Sequence, residues 1–261
     1  MNAFRIAWRA SRDLFDELFT AIAVNLLWVV INLPLLGVAF SLGLTAMIEW
    51  DVQPLFLAAL VLMLAVIPLG PSSTGLTLVA QRIFEGRSVS WRLFADGFRA
   101  PRNRSWQVYA GWMAVFIILL VNIAFYTQIP PPYNAFLTMF FLYVVILWIA
   151  VLIHLGPLVV LQEDRSVVKL FRNALILMLG RPVATLITML LMTVIVLLSI
   201  AINLIPLLLL TPVWLAVWGF RATAQAIEEI EERRRALQNP TDDGPPAAGG
   251  RGRRGQIRPR D

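Results

Sequence analysis

The chain has 261 residues, of which 59% are hydrophobic and 15% charged, with a formal net charge of +6 and no cysteine. Soluble domains carry roughly 45–50% apolar and about 25% charged residues, so both departures exclude an ordinary water-soluble fold. The missing thiols exclude a disulfide scaffold and a thiolate metal site. A single histidine, with almost no acids in the apolar stretches, leaves little for hydrolytic chemistry.

Residues 105–162 and 182–220 contain no Asp, Glu, Lys or Arg, whereas one bilayer crossing needs only about 20 apolar residues. The pattern predicts an all-α, polytopic membrane helix bundle. In chain order, the predicted spans cover residues 20–44, 54–80, 106–126 and 133–161. The uncharged stretch 182–220 is too long for one helix at 1.5 Å per residue and accommodates two short ones, 183–203 and 205–220. Asn203-Leu204-Ile205-Pro206 is the natural turn, because proline disfavours helix in the residue before it. The first span has no small-residue cleavage pattern after it and reads as a transmembrane helix rather than a signal peptide.

The 22 basic residues fall into four groups. They are Arg5 to Arg12, Arg82 to Arg104, Arg165 to Arg181, and Arg221 to Arg260. The alternate connections, 45–53, 127–132 and 203–206, carry only Glu49 and Asp51. Under the positive-inside rule this predicts six spans as three hairpins with both termini cytoplasmic. Residues 1–238 form the predicted membrane domain, extended beyond span six by a helix with Glu229–Arg233 and Glu231–Arg235 pairs at i, i+4. Residues 239–261, rich in Gly, Pro and Arg, lack the apolar content to fold and read as a disordered basic tail. Attraction of that tail and the basic loops to anionic inner-leaflet lipid is the simplest use of their charge, and no nucleic-acid partner is expected.

The hairpins share features. Ile67-Pro68-Leu69-Gly70-Pro71 parallels Ile153-His154-Leu155-Gly156-Pro157, and each is followed by a similar stretch, 87–94 and 165–171. The third hairpin keeps Thr211-Pro212, and Asn32, Asn122 and Asn203 lie in the outer halves of the odd spans. An internal repeat and chance similarity among apolar segments both account for this. Pro71, Pro157 and Pro212 lie 8–11 residues before the next arginine. That spacing predicts kinks about 12–16 Å inside the cytoplasmic boundary, near the midplane. Packing alone explains proline in membrane helices; broken helices lining a cavity are the functional alternative.

The stretches after spans two and four predict short interfacial helices capped by Ser90 or Ser166. Their apolar faces, Trp91, Phe94 and Phe98 in one and Val167, Leu170 and Ala174 in the other, are expected to lie on lipid.

His154 lies one turn before Pro157, and an ionisable group there suggests a proton relay or ligand contact. With no carboxylate inside any span, a neutral imidazole bonded to the backbone is the competing structural reading. Asn25 and Asn32 share a helix face, and Ser72, Ser73 and Thr74 follow Pro71. Together with His154 these six define a candidate midplane polar pocket; interhelix packing by the amides is the alternative. Nothing clusters as metal ligands, and no phosphate-binding glycine loop occurs, so catalytic, metal and cofactor sites are all expected to be absent.

Asn25-Leu26-Leu27-Trp28, Asn32-Leu33-Pro34 and Gly70-Pro71 resemble the YesL-like family of bacterial integral membrane proteins of unknown function. So do Gly156-Pro157-Leu158, Gln162-Glu163-Asp164, Leu170-Phe171-Arg172-Asn173-Ala174 and Arg181-Pro182. The resemblance covers residues 15–235, with an extra outside loop and apolar segment between the first two elements. It implies a bacterial plasma-membrane protein without catalytic residues, in an accessory or scaffold role beside a carbohydrate-uptake system, with a membrane-protein partner. The alternative function is a small-solute transporter or channel using the pocket near His154.

Overall fold

The computed structural model describes residues 3–49, 52–99, 102–163 and 166–238. Its elements are α1 (Ala3–Asp16), α2 (Leu18–Glu49), α3 (Val52–Phe84), α4 (Trp91–Arg99), α5 (Arg102–Tyr126), α6 (Tyr133–Leu161), α7 (Val167–Gly180), α8 (Pro182–Ala201), α9 (Ile205–Leu209) and α10 (Thr211–Gln238). No strand occurs among the described residues. The chain divides into two units, residues 1–226 and 227–261. Within the second, Arg235 pairs with Glu231 at 3.5 Å on one face of the helix. The basic tail, 239–261, lies outside the described residues.

Among the described residues, five helical stretches are long and apolar enough to cross a bilayer: Leu18–Ala46, Gln53–Phe84, Asn103–Tyr126, Tyr133–Leu161 and Pro182–Ala201. They match the first five predicted spans. As an apolar surrounding demands, helix satisfies the interior backbone groups within the segment, except opposite its prolines. The sixth predicted span, 205–220, is not one helix. It divides at Leu210 (φ −147°, ψ −27°) into α9 and the start of α10. Pro212 supplies no N–H to Leu208, so the hydrogen-bond ladder ends there and restarts. The bend before α9 uses Asn203 (φ 54°) and Leu204 (φ 63°), a left-handed pair that a leucine adopts only under strain.

The basic N-terminal flank folds as α1, a helix the charge pattern concealed. Ile6, Ala10 and Leu14 form its buried stripe, joining a core with Val24, Val79, Ile83, Val217, Trp218 and Phe220. The two short helices after α3 and α6 form as expected, and Ser166 caps α7 by accepting from the Lys169 N–H. Their apolar faces are only partly turned inward: Trp91 is 57% exposed, and Phe98 and Val167 are half-buried. Phe94, Leu170 and Ala174 are buried, and Phe171 stacks on Trp148 of α6 at 5.9 Å. Amphipathic spacing identifies an apolar face but not what covers it, and here much of the cover is the bundle itself.

Two contacts show how closely the helices approach. A Cβ on Gly97 of α4 would lie 2.5 Å from the Gly75 Cα of α3, so only glycine permits that crossing. In α5 and α6, the Trp112 indole donates to the Trp148 carbonyl at 3.1 Å, and Trp148 returns the bond to the Trp112 carbonyl at 3.0 Å.

Candidate functional site

A proline inside a helix leaves the carbonyl four residues earlier without its usual donor. Pro71 and Pro157 lie within α3 and α6, which continue through them, and Pro212 is the second residue of α10. The three carbonyls concerned are therefore Ile67, Ile153 and Leu208. Each faces a side chain from another helix. The Trp106 indole of α5 donates to Ile67 at 2.8 Å, and the Asn25 amide of α2 donates to Leu208 at 2.7 Å. The Thr223 hydroxyl of α10 lies 3.4 Å from Ile153 O and 2.8 Å from Gly219 O, a shared donation weighted to the latter.

Asn25 does more than cap one group. Its amide nitrogen also donates to Leu207 O at 3.1 Å, and its carbonyl oxygen accepts from the Val213 N–H at 3.0 Å. The side chain is fully buried and bridges the α9–α10 break with both of its ends. Both amide hydrogens are committed to backbone carbonyls.

The other candidate residues form separate groups. Asn32 donates to Ser72 Oγ at 2.9 Å and to the Trp28 carbonyl at 2.7 Å. Trp28 reaches Ser73 Oγ at 3.4 Å, and Thr74 shares a 2.7 Å hydrogen bond with Ser105 of α5. These contacts tie α2 to α3 and α3 to α5. His154 is elsewhere, between α6, α8 and α10: Nδ1 lies 2.9 Å from Thr223 Oγ1 and Nε2 lies 3.5 Å from Thr185 Oγ1. Thr185 follows Arg181 by four residues and Thr223 follows Arg221 by two. The ring is thus close to Arg181, at the start of α8, and to Arg221, within α10. Ser72, Ser73 and Thr74 bond to α2 and α5, whereas His154 bonds to α8 and α10.

The partners Thr185, Thr223, Ser105 and Trp106 carry no signal in the sequence that would single them out. The proline positions mark which carbonyls need donors, but the donors come from other helices at no fixed sequence distance.

A cavity of about 20 Å³ adjoins His154, lined also by Ile6, Arg181, Thr185, Thr188 and Ala226. That volume holds about one water molecule. Beside it, Arg221 of α10 pairs with Asp13 of α1 and lies over the Phe84 ring, 5.1 Å from its centroid. Burial, reinforced by Arg9, holds the Arg221 pKa below its ordinary value; Asp13 supplies the opposing charge. Among the described residues there is no group of three or more His, Asp or Glu placed to hold a metal ion.

Among the described residues, an all-helical architecture with five such apolar helices fits a multi-pass integral membrane protein. The chain matches no family model, no curated protein and no solved structure.

Proposed function

We propose that the protein is a non-enzymatic accessory or scaffold component of a bacterial plasma membrane, acting beside a carbohydrate-uptake system through a membrane-protein partner. The observation that carries this reading is the use of its buried polar side chains. Asn25, Asn32, Ser72, Thr74 and His154 all have hydrogen-bond partners on neighbouring helices. Such bonds contribute about 0.6 kcal/mol each to membrane helix packing and need no ligand to explain them. The cavity beside His154 admits a water but is far below the size of a sugar. The resemblance of the Gly156-Pro157 and Gln162-Glu163-Asp164 segments to YesL-like proteins supplies the uptake context.

The same reading has six crossings with both termini cytoplasmic. It is supported by Thr185 of α8 and Thr223 of α10 meeting the two nitrogens of one imidazole, each close to an arginine in sequence. Basic loops at that end suit an anionic inner leaflet.

Purification from native membrane in mild detergent, followed by mass spectrometry, tests the role. A stoichiometric subunit of a sugar-uptake system is the expected companion. Recovery of the chain alone, together with sugar flux in proteoliposomes containing only this protein, would replace the accessory role with transport.

A further inference from the structure

The α1 helix carries two apolar faces, and only one is covered by the bundle. Ile6, Ala10 and Leu14 are buried, while Phe4, Trp8 and Phe15 are 69–70% exposed, and Phe19 at the start of α2 is 89% exposed. At about 100° per residue, Phe4, Trp8 and Phe15 fall within an arc of roughly 40°. Arg12, Arg5 and Arg9, all exposed, occupy the next arc of about 60°. The buried stripe lies beyond them.

The height of α1 follows from its contacts. Its last residue is separated by Glu17 alone from α2, whose apolar stretch begins at Leu18. Ile6 shares a cavity with Arg181, and Asp13 pairs with Arg221. Ile6 and Asp13 of α1 are therefore level with Arg181, which precedes α8, and Arg221 of α10, the two arginines that flank the uncharged stretch 182–220.

We propose that α1 docks on an anionic bilayer leaflet, with Phe4, Trp8 and Phe15 seated at the headgroup–acyl boundary and Arg5, Arg9 and Arg12 on lipid phosphates. A helix at that height with an aromatic face beside a row of cations matches the surface in both polarity and charge. Asp13 borders the row and is neutralised by Arg221; the exposed Asp16 lies within the row, which keeps a net positive charge. This inference goes beyond the accessory role and does not depend on which partner protein is found.

The chain has no cysteine, so a Trp8→Cys variant of the full protein takes one environment-sensitive fluorophore. The probes are vesicles of phosphatidylcholine alone and of equimolar phosphatidylcholine and phosphatidylglycerol. In the anionic vesicles the label should be quenched by spin-labelled lipid and protected from iodide. Adding Arg5→Gln, Arg9→Gln and Arg12→Gln should raise iodide quenching there about threefold or more, because three surface arginines shift docking by about a hundredfold. An Arg9→Gln variant alone should give a smaller change in the same direction, which covers the case in which the triple variant fails to fold. Iodide access in both vesicle types would overturn the proposal. So would equal protection in both, or disulfide cross-linking between two copies of the unlabelled Trp8→Cys variant, which would make a second chain the occupant.

Discussion

The Trp106 indole donates to the Ile67 carbonyl at 2.8 Å, the carbonyl that Pro71 deprives of its helical donor. One side chain on α5 thereby repairs a defect in α3. The pairing also makes a double-mutant test available. Trp106→Phe keeps an aromatic ring but removes the N–H, and should destabilise the fold by about 1 kcal/mol by orphaning a carbonyl in apolar surroundings. Pro71→Ala restores an N–H at the right position and should be close to neutral. In the double variant most of the Trp106→Phe loss should disappear. Additive effects in a reversible detergent unfolding assay would show that the indole acts by packing instead.

Asn25 should be the most sensitive of the polar positions. Asn25→Leu strands Leu207 O, Leu208 O and the Val213 N–H together at the α9–α10 break. At roughly 1 kcal/mol or more for each buried orphan, the loss should reach about 3 kcal/mol. Asn32→Leu, which leaves Ser72 with its alternative acceptor at Leu69 O, should lose about 1 kcal/mol. Thermal unfolding of the two variants in one detergent gives the ranking; an equal or reversed order would refute the bridging role of Asn25.

These two asparagines show how far the sequence can be read. The five apolar stretches are legible because a crossing helix needs length and apolarity, both local properties. The polar residues are legible as a set, since few polar groups occur in such stretches. Their grouping is not. Asn25 and Asn32 are on one helix face, yet Asn25 meets α9 and α10 whereas Asn32 meets α3, and His154 belongs to a third group with Thr185 and Thr223. Phe94 and Leu170 are legible as apolar faces, but their burial in the bundle rather than on lipid is not, because no local signal distinguishes a bilayer from Gly75 or Trp148. The break at Leu210 is hidden for the same reason: Pro212 announces a missing N–H, but the side chain that makes the break tolerable is Asn25, far away in sequence.

Glycine substitutions separate close packing from mere flexibility. Gly97→Ala places a methyl group 2.5 Å from the Gly75 Cα, where backbone must yield, and should destabilise by about 1–3 kcal/mol. Gly43→Ala meets nothing within 4 Å and should be neutral or slightly stabilising, as alanine favours helix over glycine by about 1 kcal/mol. Unfolding of both variants under one condition checks the contrast; a harmless Gly97→Ala would mean that α4 is held loosely against α3.

The absence of any native thiol makes the chain convenient for mapping its topology by cysteine labelling. With six crossings, single cysteines at Ser88 between α3 and α4, and at Ser166 before α7, lie on the cytoplasmic side. Cysteines at Gln53 and Pro131 lie on the opposite side. Thr241, beyond the described residues, reports the side taken by the C-terminal tail. In intact cells an impermeant maleimide should label the Gln53 and Pro131 positions and spare the other three until the membrane is opened. The third pair of crossings is the critical one, since α9 and α10 are separate helices and the stretch 205–220 is short for a bilayer. If it does not cross, the nine arginines from Arg221 to Arg260 lie outside, against the charge rule. Labelling of Thr241→Cys in sealed cells, with Ser88→Cys still protected, would establish that five-crossing arrangement and reject the six-crossing one.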